Sequence, residues 1–181
     1  MKNILKNRLA LSTVVTTLII LVVSVLLAGV VTYFAINVTS TRVQEESLAL
    51  TKQHVYYNSA GTQATLLIVN TGGRDVVLDK ISVRGQQVAW GNVLYGTTDS
   101  SITSDLDYNA TVAAGSYTID SVSFTLVAAS DDITLQSGYS MVLFISSPDS
   151  ITINDIGLTV AMTVFTSQAM YYKECNVQAT A

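Results

Sequence analysis

The chain has 181 residues, of which 49% are hydrophobic and only 12% charged, with nine Lys+Arg against thirteen Asp+Glu for a net charge of −4. That composition excludes a disordered acidic chain, which would be poor in apolar residues. No basic stretch lies beyond the first eight residues, so a nucleic-acid binder, which needs clustered cations, is excluded too. One Cys leaves no intrachain disulfide and no cysteine-rich zinc site.

The hydrophobicity is concentrated at the start. MKNILKNR carries Lys2, Lys6 and Arg8 and no acid, and the 33 residues from Leu9 to Thr41 carry no charge at all. Val14 to Ile36 is dominated by Val, Leu and Ile, and about 20 such residues span a bilayer core. The basic end marks the cytoplasmic side, so the rest is expected outside. The run is longer than a secretory signal core, and no A-x-A site closes it. A plain membrane anchor fits its length, as does a leader trimmed in front of a helix that stays on the mature chain. Ser, Thr, Ala and Gly are scattered along it, residue types that let helices approach closely and hydrogen-bond across a pair.

Val43, Leu48 and Leu50 among Gln44, Glu45, Glu46 and Lys52 read as an amphipathic extension of the same helix. One helix is therefore expected from about Leu9 to about Gln53, ended by Tyr56-Tyr57-Asn58-Ser59-Ala60-Gly61.

The pattern then turns to strands. Thr62–Asn70 is one, stopped by Thr71-Gly72-Gly73; Asp75–Val83 is a second, with Val77, Asp79, Ile81 and Val83 on one side. Gln86–Tyr95 carries Val88, Trp90, Val93 and Leu94. Residues 96–116 are rich in Ser, Thr, Asp, Asn and Gly and read as a surface excursion. Tyr117–Val127 alternates through Ile119, Val122, Phe124 and Leu126. Tyr139–Ser146 is nearly continuous apolar sequence, as a strand buried on both faces would be. Ile156–Thr166 alternates Ile156, Leu158, Val160, Met162 and Val164 against smaller residues. The tail from Gln168 to Ala181 reads as a solvent-side extension. The fold class expected is α+β: a basic leader (1–8), a hydrophobic then amphipathic helix (9–60), and an immunoglobulin-like β-sandwich head (61–181).

Little in the chain supports catalysis. His54 is the only histidine, with no local nucleophile or carboxylate to work with, and reads as a surface or joint residue. Cys175 reads as an incidental free thiol. Asp131-Asp132 and Asn154-Asp155 lack calcium-loop spacing and read as turn acids. Hydrolase, zincin, Walker and dinucleotide motifs are absent, so no enzyme activity, cofactor or metal is expected. Two N-x-[S/T] sequons occur, Asn109-Ala110-Thr111 and Asn37-Val38-Thr39. Asn109 lies in the polar excursion and is the better glycosylation candidate; Asn37 sits near the membrane edge. Serine and threonine together number 41, so O-linked sugars are also compatible with the composition.

Three stretches carry a family resemblance. KNRLALSTVVTTLIILVV resembles a class III signal peptide, LLIVNTGGRDVVLDKISVRG the early strands of a head with an N-x-G turn at Asn70 and Gly72, and ITINDIGLTVAMTVFTSQAMYY its closing strands. Together they resemble the archaeal type IV pilin and archaellin superfamily; residues 86–150 match it only in style. The resemblance implies cleavage by a prepilin-peptidase-like membrane protease between Arg8 and Leu9, with a cut after Ala10 as the alternative. It implies membrane insertion of the precursor, then polymerisation with copies of itself into an extracellular filament, with adhesion as the expected role. The bacterial pilins' glutamate five residues into the mature helix has no counterpart, since Thr13 or Val15 falls there. The alternative is a monomeric membrane-anchored β-domain for ligand binding or envelope structure.

Overall fold

The computed structural model describes residues 2–43 and 45–180, with side chains described for 11–41 and 45–180. It divides into two compact units, 1–43 and 44–181. The first is a single helix, α1 (Lys2–Val43). It forms despite its β-branched content because Leu9–Thr41 holds no proline and no charge to stop it.

Among the described residues the second unit holds eleven strands: β1 (Leu48–Asn58), β2 (Gly61–Asn70), β3 (Val76–Val83), β4 (Gln86–Gln87), β5 (Val93–Thr98), β6 (Gly115–Ile119), β7 (Val122–Ala128), β8 (Ile133–Leu135), β9 (Ser140–Ser146), β10 (Thr159–Thr166) and β11 (Met170–Ala179). Their order is β4-β3-β10-β11-β1-β2-β9-β5-β7-β6, with β8 paired to β3. All neighbours are antiparallel except β1 and β11, which run parallel over Val55–Tyr57 and Val177–Ala179. The expected α+β class, an apolar helix followed by a β-rich head, is what the structure has.

The main core lies between the two halves of the sheet. Leu66 and Ile68 of β2 and Leu143 and Ile145 of β9 meet Leu78 and Ile81 of β3 and Met162 and Val164 of β10. Alternate residues of the same central strands, Leu67, Val142 and Phe144, face the other way into a second core with Phe124, Leu126, Ile102 and Leu106. This is why β9 is apolar at nearly every position.

The structure corrects several boundaries. The helix ends at Val43, and residues 48–58 form a strand rather than helical turns. A β-bulge hides the strand's alternation in the sequence: Thr51 pairs with Leu67 and His54 with Thr65, so β1 carries one extra residue, and Lys52 has φ +53°. The bulge flips the inward side, with Leu48 and Leu50 buried before it and Val55 after it. A second irregularity falls in β3, where Phe165 pairs with Lys80 and Thr166 with Leu78. It places Val76 and Leu78, then Ile81 and Val83, in the core and leaves Asp79 exposed, so the single face expected for Val77, Asp79, Ile81 and Val83 does not exist.

Gln86–Tyr95 is not one strand, because a 3₁₀ turn at Trp90–Asn92 separates β4 from β5. Tyr117–Val127 is a hairpin, turning at Asp120 and Ser121, both at positive φ (52° and 66°) as a two-residue turn requires. Ile156 and Leu158 are exposed and precede β10. The tail is β11, inserted between β10 and β1, and so part of the sheet rather than an appendage.

Candidate functional site

The helix is the first candidate. Leu18, Ile19, Ile20, Leu21, Val22 and Val23 follow one another around its circumference, and each is about half exposed or more. A helix apolar on every side needs an apolar environment on every side. Leu11–Thr41, 31 residues, is long and apolar enough to cross a membrane. Several of the hydroxyls within it are spent locally. Hydroxyls donate back along the helix from Thr16 to Ser12 O (2.9 Å), Ser24 to Ile20 O (2.7 Å), Thr32 to Ala28 O (2.7 Å) and Thr41 to Asn37 O (2.9 Å). A donor satisfied on its own helix can face hydrocarbon without the cost of an unpaired group. Arg8 and Leu9 lie in the early turns of α1, with side chains outside the described residues.

The start of the head is fixed by its own contacts. Thr71 and Gly72 donate backbone N–H groups to Ser47 O (2.9 and 3.0 Å), and Thr166 Oγ1 donates to Glu46 Oε1 (2.5 Å). Gly72 is required there: a Cβ would sit 2.7 Å from both Glu45 O and Ser47 N. Buried Asn70 shapes the turn, its Oδ1 accepting from Gly72 N (3.0 Å) and its Nδ2 donating to Arg74 O (2.8 Å) and Leu135 O (3.2 Å).

The polar excursion is a fitted cover, not a free loop. Its Ile102 and Leu106 are buried under it, against the second core. Tyr56 Oη and Thr65 Oγ1 both donate to Leu106 O (3.1 and 3.2 Å), and Lys52 Nζ donates to Thr103 O. The Asp120 carboxylate accepts from Thr103 N (2.6 Å), Thr103 Oγ1 (2.9 Å), Ser104 N (2.6 Å) and Ser104 Oγ. These bonds, from Ser104 first and Thr103 second, hold its carboxyl far below the usual carboxylate range. Sequence reasoning missed Asp120 because the hairpin was read as one strand; the Ile-Asp-Ser-Val turn was the available signal.

Farther along the cover, Asn109 is locked by its backbone: its N–H donates to Gln63 Oε1 (2.9 Å) and its carbonyl accepts from Gln63 Nε2 (3.0 Å). Its side-chain Oδ1 accepts from Thr111 N (3.0 Å) and Thr111 Oγ1 (2.9 Å). Asn37 is inside α1 and exposed.

The other candidates have structural employment. His54 Nε2 lies 3.3 Å from Asp105 Oδ1 and its ring stacks on Tyr56, another tie between β1 and the cover. Cys175 on β11 packs against the main core, and burial pushes its thiol up to about 11. Asp155 accepts from Thr152 N (2.7 Å) and Oγ1 (2.8 Å) and pairs with Arg84 (2.7 Å); the Thr152 bonds chiefly lower its pKa. Asp131 Oδ1 accepts from Asp132 N (2.9 Å) as a turn acid does. Among the described residues no cluster of three or more His, Cys, Asp or Glu is placed to hold a metal.

No family model matches the chain, and no characterised protein matches it by sequence. Among solved structures it is similar to the ligand-binding region of serine-glutamate repeat protein A of Enterococcus faecium. The identity is 13%, covering 76% of this chain and 99% of that one, with a TM-score of 0.34. A family 123 glycoside hydrolase from Clostridium perfringens matches at 9% identity, 75% of this chain, 27% of that one, and TM-score 0.34. Likenesses this loose carry no argument about activity.

Proposed function

We propose that the chain is the structural subunit of an extracellular type IV pilus-like filament, its helices packed together in the filament core and its β heads outside. The observation that carries this reading is the helix. Its 31-residue span-competent part, Leu11–Thr41, is about 46 Å long, against a hydrocarbon core of about 30 Å. Some ten residues are left over, and among the outer ones Tyr33, Phe34, Ile36 and Val38 are all exposed. A single lipid span leaves these wet or demands a steep tilt. Copies of the same helix, staggered along a filament, cover them.

Before assembly the bilayer holds the helix; in the polymer neighbouring helices replace lipid, so apolar burial is kept at little cost. Such a contact is heterologous and does not close, which yields a helical polymer. The leader is removed between Arg8 and Leu9 by a prepilin-peptidase-like protease. The test is to shear intact cells, collect the released material, and identify and N-terminally sequence this chain in it. A chain starting at Leu9 or Leu11 in released filaments is expected. A chain that keeps Met1 and stays with the membranes makes it the anchored monomer.

A further inference from the structure

We propose that Asn109 carries an N-linked glycan whose first sugar rests in the polar groove beside it. The proposal depends on the head being exported, but not on polymerisation. Thr111 Oγ1 lies 2.9 Å from Asn109 Oδ1, so hydroxyl and amide of the sequon are already in contact. Asn109 Nδ2, by contrast, makes no hydrogen bond among the described residues. Hydrogen bonds donated to Oδ1 favour the imidate-like form of the amide, in which Nδ2 is the nucleophile.

The second sequon fails the same geometric test. Asn37 and Thr39 lie in α1, where residues two apart point to different sides of the helix. Its hydroxyl cannot reach its amide without unwinding the helix.

The groove has the chemistry of a sugar seat. It is open to solvent and lined by Thr62, Gln63, Tyr108, Asn109, Ser146 and Ser147 among others. Hydroxyls, an amide and one aromatic edge suit a neutral sugar, which offers many hydroxyls and an apolar ring face. The pair of hydrogen bonds between Gln63 and the Asn109 backbone fixes the attachment point against the groove wall. Both elements sit where β1 turns into β2, and β1 enters the head at its opposite end, at Leu48.

The modification needs a polyprenyl phosphate- or diphosphate-linked sugar and a membrane oligosaccharyl transferase. Asn109 Nδ2 forms a bond to the anomeric carbon, the bond from that carbon to the phosphate oxygen breaks, and the phosphate leaves with the electron pair. The amide loses one proton to the transferase's base.

The full chain is isolated from its own cells and its glycopeptides are mapped, while exposed Lys80 and Lys173 are biotinylated on intact cells. Labelled lysines with sugar on Asn109 are expected. Asn109→Gln and Thr111→Ala abolish the modification, whereas Thr111→Ser and Asn37→Gln keep it. Labelled lysines with bare Asn109 overturn the proposal alone; unlabelled lysines overturn the exported head and the proposal with it. For the seat, the glycosylated chain is compared with the same sequence made in a host lacking the transferase. A melting temperature at least about 2 °C higher for the glycosylated chain is expected. Equal melting temperatures refute the seated sugar.

Discussion

Replacing Leu21 by Arg places a charge in the middle of the helix. Leu21 is 64% exposed on its own helix, so it faces whatever surrounds α1. Arg8 is 13 residues away and Arg42 is 21, about 20 and 31 Å along the axis, and no acid lies between Leu9 and Thr41 to pair with the new charge. In a bilayer, a central Arg costs about 2.5–3.5 kcal/mol on insertion scales, and snorkelling relieves part of it, so the precursor still inserts. In a core of like helices every copy brings the same unpaired charge, at an effective cost of several kcal/mol per ion. The main and second cores are built wholly from residues of the second unit, so the head folds normally. The assay is a blot of membrane and sheared fractions with protease digestion of the membrane-bound chain. Normal membrane levels, a resistant fragment from about Leu48, and no filaments are expected. Filaments of normal number and length from the Leu21→Arg chain refute the helical-core reasoning.

Gly72→Ala forces its Cβ to within 2.7 Å of Glu45 O and Ser47 N, so loss of about 1–3 kcal/mol of head stability is expected from denaturant melts. Cys175, with its thiol raised to about 11 by burial, is expected to alkylate at pH 8 roughly a hundredfold more slowly than a free thiol, by timed iodoacetamide labelling. A normal rate shows the thiol to be accessible and ionised. Asp120 has its pKa lowered in the fold, so its contribution is present above the ordinary carboxylate pKa of about 4 and is lost as pH falls below it toward the folded value. Asp120→Asn is therefore expected to speed proteolysis within 99–114 at neutral pH and to remove part of the acid dependence of head stability; identical digestion rates contradict the clasp. Tyr56, raised to about 12 chiefly by burial, keeps its contribution below the unfolded pKa of about 10 and loses it as pH rises to the folded value, so Tyr56→Phe is expected to flatten the alkaline limb of a pH melt.

The helix was legible because charge is simply missing from Leu9 to Thr41, and no packing context is needed to read that. Its end was not. Leu48 and Leu50 already stand two apart, as in a strand, but the extra residue at Lys52 moves the next buried position to Val55 and breaks the alternation. Adjacent Gln44, Glu45 and Glu46 then imitate a helical polar face. β9 was read correctly because burial on both faces leaves an unbroken apolar run. The cover over the second core was missed because Ser, Thr and Asp outnumber its apolar residues. Ile102 and Leu106, with Val112 packed beside them, carry its burial, and Asp120, Tyr56 and Gln63 hold it from three other strands or turns. Such contacts are invisible until the strands are in register. Both sequons were visible from the start; only the helical geometry around Asn37 and the Asn109–Thr111 contact separate them.

The most direct measurement is electron cryomicroscopy with helical reconstruction of fibres sheared from the surface of cells that make this chain. The account predicts an axial core of parallel copies of the helix from Leu9 to Val43, with Tyr33, Phe34 and Ile36 against neighbouring copies and the β heads on the outside. Fibres with a core built from another protein, or a chain found only as a monomer in the membrane, contradict it.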